Sequence, residues 1–279
     1  MSLNVGDVIQ ILEAMAPSRL AEDWDNAGLQ TGQMDWPVRS IWVALDPTPD
    51  VMEAACQANA DLLVTHHPLF FKPLKNIDFS MPEGKVVRLA VVNQTAVFSA
   101  HTNLDSAADG LNDLLARKIG LKRLSTLVRQ PVQLKSGAAP GREADRPEGL
   151  GRIGYLDTEV PLVELAGKIK KALNLDLIQV AGRSDLLVRK MAVCTGSGSS
   201  LLPEFLASDA EVYLSGDLTY HNGRTVEAVD RGLIDIGHFA SEHIIVADLA
   251  HRLKAHIVSA GETVAVTACA FEIDPFTQV

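Results

Sequence analysis

The stretch DLLVTHHP, residues 61–68, joins a short apolar run to two adjacent histidines. Leu62 to Thr65 read as a strand buried on both faces, the pattern of a parallel sheet covered by helices. Neighbouring strand residues point to opposite faces, so His66 and His67 can serve one site only where the strand has ended and the backbone turns. Pro68, Leu69 and Phe70 predict that turn. Neutral imidazole is the commonest metal ligand, and two in succession can each take one ion of a closely spaced pair.

Outward from this stretch, strands and helices alternate. Val5, Val8, Ile9 and Leu12 give an amphipathic helix that stops before Pro17. Strand 41–45, helix 49–59, strand 62–65, a helix near 83–93, strand 96–100 and helix 108–119 follow. After them, residues 129–149 are rich in Pro, Gly, Ala and charge and read as an exposed linker or excursion. The alternation then resumes with strand 152–156, helix 162–173, strands 177–180 and 187–193, and helix 201–207. Strand 211–215, helix 218–231, strand 233–236, a long helix 240–256 and strand 264–271 complete it. The prediction is two α/β lobes with largely parallel or mixed sheets, 1–128 and 151–279, joined by a linker at 129–150. The last elements are candidates to pack back on the first lobe.

A chain of 279 residues is long enough for two full cores. Cys56, Cys194 and Cys269 are far apart, with no CxxC spacing, which argues against a disulfide framework or a thiolate metal site and fits a reducing compartment. No basic leader and no membrane-length apolar run is evident, so a cytoplasmic protein is expected. The net charge of -10 argues against a dedicated nucleic-acid binder.

In open α/β sheets ligands collect beyond the carboxyl ends of the strands. His66 and His67 follow one strand, His101 and Asp105 a second, and His238 a third, with Glu242 four residues further on one helical face. A lone histidine is more often a satisfied core or surface residue. Several strand ends furnished in this way point instead to metal. The set mixes imidazole with carboxylate and contains no thiolate, which suits zinc, manganese, iron or nickel. Five or six donors exceed the needs of one catalytic ion, so two divalent ions are expected. His101 is assigned as a proton shuttle, with binding to metal or to a ligand from behind as alternatives. His221 is either a substrate contact or a helix-surface residue. In TGSGSS, residues 195–200, a phosphate cradle competes with a glycine turn needed only for tight geometry, and the second is favoured. WDNAGL, residues 24–29, reads as an Asx turn that could hold Asp25 or Asn26 near the cleft.

WDNAGLQTG, ALDPT, ADLLVTHHPLFF, AHTNLD, SGDLTYHNGRTVEAVDRG and DIGHFASE, spanning Trp24 to Glu242, together resemble the motifs of the YbgI or Nif-three-like dinuclear metal family. Its members are often labelled GTP cyclohydrolase I type 2 homolog. The resemblance implies two interlinked α/β lobes, two divalent ions per subunit and a toroidal hexamer. It places the metal ligands on His66, His67, Asp105, His238 and Glu242. The sequence holds neither a guanine-pocket motif nor the zinc-cysteine arrangement of an authentic GTP cyclohydrolase I. The leading expectation is therefore a metal-dependent hydrolase acting on a phosphoester or cyclic amide of a nucleotide-like small molecule. A metal carrier or insertion factor, and a ring that threads single-stranded nucleic acid, are the alternatives.

Overall fold

The computed structural model describes residues 3–129 and 148–277. They form two compact units, Met1–Leu104 with His243–Val279, and Asp105–Glu242. The chain opens with α1 (Val5–Met15), β1 (Gly28–Thr31), β2 (Ser40–Ala44), α2 (Pro49–Gln57), β3 (Leu62–Thr65), α3 (Pro82–Asn93), β4 (Ala96–Ser99) and α4 (Thr102–Ser106). Next come α5 (Leu111–Lys118), β5 (Lys122–Thr126), β6 (Arg152–Pro161), α6 (Leu162–Ala172), β7 (Gln179–Ala181) and β8 (Leu187–Ser197). Then α7 (Leu202–Ala207), β9 (Val212–Gly216), α8 (Tyr220–Glu227), β10 (Gly232–Asp235) and α9 (His238–Glu242) complete the second unit. Finally α10 (Ile244–Ser259) and β11 (Ala265–Ala268) return to the first.

The first sheet runs β1-β4-β3-β2-β11, parallel throughout except for β1. Every residue of β3 and β4 is buried, as two-face coverage requires. Their register pairs Thr65 with Ser99, so the carboxyl ends of the two strands lie level. The second sheet runs β5-β6-β8-β9-β10-β7, with β8, β9 and β10 parallel and the other pairs antiparallel. Ser215 pairs with Asp235, which again brings two carboxyl ends level. Under this sheet Phe205 stacks on Tyr213 at 5.4 Å within a core that includes Val226 and Leu233.

The unit boundaries correct the expected division at 129–150. Residues 130–147 lie outside the described residues. On either side of them, the Val128 N–H donates to the Leu150 carbonyl at 3.0 Å and Leu127 to Gly151 at 3.2 Å. The flanks therefore close one hairpin inside the second unit. Near the end of the described chain, β11 pairs in parallel with β2 of the first unit.

Three helices also differ from expectation, the one expected over 218–231 being confined to Tyr220–Glu227. The one expected over 108–119 starts at Leu111, because Asp109 adopts a left-handed φ of 59° and Gly110 is extended. The long helix expected over 240–256 is two, α9 and α10, separated at His243. No helix among the described residues is long and apolar enough to cross a membrane.

Candidate metal centre

In the first unit, β3 delivers His66 and His67, and β4 delivers His101. The strand does stop at Thr65. Backbone N–H groups of His66 and His67 donate to the carbonyls of Ala44 and Leu45, and the Thr65 hydroxyl caps the His67 carbonyl at 2.7 Å. Turned in this way, the three rings gather with centroids 5.1 to 5.5 Å apart, and one ligand atom from each lies within 4.8 Å of the others.

Each ring is held from behind through Nδ1. His66 meets the Ala100 carbonyl at 2.9 Å, His67 meets Asp46 at 2.8 Å and His101 meets Asp25 at 2.8 Å. Carbonyl and carboxylate oxygens only accept, so Nδ1 carries the proton and Nε2 keeps its lone pair for a ligand role. This is the arrangement in which metal-binding histidines are oriented and made more basic.

The supporting carboxylates are themselves fixed. The Glu272 carboxylate, just beyond β11, accepts the backbone N–H groups of Leu45 and Asp46 at 2.9 and 3.0 Å. Asp25 has a fully buried side chain and accepts from the Thr102 N–H at 3.0 Å and the Thr102 hydroxyl at 2.5 Å. Burial alone raises its pKa, but the hydrogen bonds and charge of His101 and the bonds from Thr102 outweigh it, bringing the group down to about 2. Asp25 is thus ionised at neutral pH and holds the His101 tautomer.

The second unit repeats the device. His238 Nδ1 meets Asp217 at 2.8 Å, while Nε2 lies 2.9 Å from Glu242, one helical turn on. Gly196 donates its N–H to Ser241, which in turn donates to the His238 carbonyl, so α9 is stitched to the end of β8. Gly196 has φ +63°, and a Cβ there would overlap the Glu242 carboxylate. The neighbouring Thr195 hydroxyl meets Asp105 at 3.2 Å, and the Asn112 amide bridges the Thr195 N–H to the Asp105 carbonyl. Asp105, His238 and Glu242 thus converge on one dipeptide. The structure gathers His66, His67 and His101 in one unit and Asp105, His238 and Glu242 in the other.

Thr195–Ser197 of TGSGSS form the end of β8 and Gly198 opens a short 3-10 helix, so the stretch is closely packed rather than an open cradle. Thr195 and Gly196 spend their amides on Asn112 and Ser241, and a Cβ on Gly198 would overlap Ser215 and Tyr213. His221 lies on the exposed face of α8 beside Tyr220. Asp46, Asp217 and Glu272 escaped the reading of the sequence, although the first two lie in quoted motifs, ALDPT and SGDLTY. An aspartate immediately beyond a strand end was the available signal.

Two tests follow from these contacts. Asp46→Ala and Asp217→Ala are each expected to weaken zinc binding by about 10- to 100-fold, measured by competition with a chromogenic chelator. Unchanged affinity would remove the orienting role. Cys194 is buried beside Asp105 and Glu242, and burial first, then the Asp105 charge, pushes its thiol up to about 12. It is therefore a neutral thiol, and native protein at pH 8 should leave Cys194 unmodified by iodoacetamide while unfolded protein is modified, as read by peptide mass.

The donor set fits divalent metal: imidazole nitrogens with ordered tautomers beside carboxylates. Comparisons with known proteins agree with the architecture. A solved Bacillus cereus protein related to NIF3 superposes with a TM-score of 0.89 at 26% identity, each chain covered fully. Reduced HcgD from Methanocaldococcus jannaschii gives a TM-score of 0.73 at 29% identity, with 95% of this chain and 97% of that one covered. A Clostridium acetobutylicum protein named GTP cyclohydrolase 1 type 2 homolog is 32% identical over 276 residues, 99% of each chain. Residues 3–275 match the family described as Duf34/NIF3 (NGG1p interacting factor 3), and the chain belongs to that family.

Proposed function

We propose that this chain is a metal-dependent hydrolase in which His66, His67, Asp105, His238 and Glu242 hold two divalent ions, and that its substrate is a phosphoester or cyclic amide of a nucleotide-like molecule. The observation that carries the reading is the anchoring of His66, His67, His101 and His238 through Nδ1 to oxygen acceptors. Three clustered imidazoles whose Nδ1 atoms are each tied to an oxygen acceptor, and a fourth set between Asp217 and Glu242, are hard to explain by packing. Bound divalent ions would supply Lewis acidity, polarising a phosphoryl or carbonyl oxygen and acidifying water.

The chain's own groups do the rest. Asp46 and Asp217 fix the rings of His67 and His238, and Asn112 and Thr195 fix Asp105. His101 is assigned as the proton shuttle. When its Nε2 takes a proton, the ionised Asp25 beside Nδ1 stabilises the resulting imidazolium, and the proton can then pass to a leaving group. By resemblance to its family the chain works as a ring of six, which light scattering in solution tests directly.

The decisive experiment begins with elemental analysis of protein purified without added metal. Two divalent ions per chain are expected. The protein, stripped and reloaded with manganese or zinc, is then screened against nucleotides, dinucleotides and cyclic amides beside a His67→Ala, Glu242→Ala double variant. Turnover lost in the variant supports the hydrolase. Turnover no faster than the variant's on every compound removes it.

A further inference from the structure

Trp24 and Phe71 are large aromatic residues left 58% and 55% exposed. Single exposed apolar side chains are ordinary. These two touch each other, with ring centroids 5.6 Å apart and planes inclined by 42°, and each meets the edge of His101 at 6.0 Å. The pair therefore forms a wall beside the histidine cluster.

Both rings are also held in place by their neighbours. Trp24 precedes Asp25, which is bonded to His101 and Thr102. Phe71 follows Phe70, whose carbonyl accepts from the Asn26 amide at 2.8 Å and whose N–H donates to Gln30 at 3.3 Å. Gln30 in turn donates to the Asn26 carbonyl at 2.6 Å. The loops carrying the two aromatics are thus clasped together by side-chain to backbone bonds. Fixing two half-exposed hydrophobic rings next to polar donors prepares a binding surface at low entropic cost.

We propose that Trp24 and Phe71 form a stacking platform for a planar heteroaromatic ring of the substrate, whose polar substituent is directed to the histidines. The proposal rests on the hydrolase reading and names the part of the substrate recognised at that site. The open, tilted faces select the ring. A stacked base gains from contact on one side while its edges stay hydrated, whereas an alkyl chain needs enclosure that half-exposed rings do not give. Stacking tolerates any base, so the platform would select for a ring without selecting which one.

The test compares adenosine 5′-monophosphate with ribose 5-phosphate, which keeps the phosphate and lacks the base. Equilibrium dialysis on the full-length, metal-containing protein gives affinity, and elemental analysis gives metal content. The nucleotide is expected to bind at least tenfold more tightly. Trp24→Leu and Phe71→Leu should each weaken nucleotide binding about tenfold. Trp24→Phe should retain most of it. Metal content should be the same in all variants.

Equal affinity for the two probes, or no binding of either at millimolar concentration, overturns the platform. So does a Trp24→Leu, Phe71→Leu double variant that binds nucleotide like the parent. If those substitutions change the number of chains per particle and leave nucleotide affinity alone, the pair belongs to an interface between copies and the platform falls. A parent protein that contains no metal yet shows base-dependent binding would overturn the hydrolase and leave the platform standing.

Discussion

Arg152→Ala is expected to destabilise the second unit by about 3–5 kcal/mol, because it leaves the buried Asp113 carboxylate with only the half-exposed Arg117, 4.0 Å away, as a cation. Arg152 is fully buried, among the largest such side chains of the described residues. Its guanidinium donates to Asp113 through Nε at 2.9 Å and Nη2 at 2.6 Å, and to the carbonyls of Gly149, Gly151 and Ala107. It therefore ties α5, the turn before it and the start of β6 into one knot. Lysine has one ammonium head where this site uses a planar fork, so Arg152→Lys should recover only part of the loss. Joint replacement by Arg152→Met and Asp113→Leu should be far milder than Arg152→Ala, since no buried carboxylate is then stranded. Urea unfolding of the three proteins decides it, and a shift below about 1 kcal/mol for Arg152→Ala would contradict the buried pair's role.

Gly196→Ala is expected to abolish most of the metal affinity that His238 and Glu242 contribute while leaving the protein folded. Two separate costs meet at this residue. Its φ of +63° is a conformation that costs alanine about 1–2 kcal/mol. The added methyl also overlaps the Glu242 carboxylate and comes within 3.4 Å of His238 Nε2, so the acidic and imidazole donors must part. Gly261→Ala separates the two effects, since Gly261 has φ +81° but nothing within 4 Å of the new methyl. Both variants should lose comparable stability from the backbone. Only Gly196→Ala should weaken zinc, by at least the 10- to 100-fold typical when a ligand loses its support. Equal zinc affinity in the two would mean that Glu242 is free to yield.

Much of this architecture could be read from residue order, and the exceptions have physical causes. Strands β3 and β4 are apolar and fully buried, so composition marks them. Strand β5, KRLST, is a half-exposed edge with a left-handed Arg123, and carries no alternating signal. Strand β1 was hidden in GLQT, where a glycine at φ +117° suggests a turn and no residue is fully buried. The donor residues were visible because strand ends in open sheets collect function. Asp46, Asp217 and Glu272 act through which ring or amide they hold, and that depends on tertiary pairing. Asp25 stood between the two cases, since WDNAGL announced a turn but not its partner His101. The division into units was illegible for the same reason, because β11 meets β2 across more than two hundred residues of chain.

That closure imposes an order on biosynthesis. The second unit is one continuous run, Asp105–Glu242, and is fully translated before the first unit has all its parts. Until residues 265–272 leave the ribosome, β2 has an unpaired edge and the Leu45 and Asp46 amides lack the Glu272 carboxylate that steadies them behind His67. The histidine cluster is thus finished only once residues 265–272 have been made, and a nascent chain halted before them carries His66 and His67 without the completed scaffold that aims them.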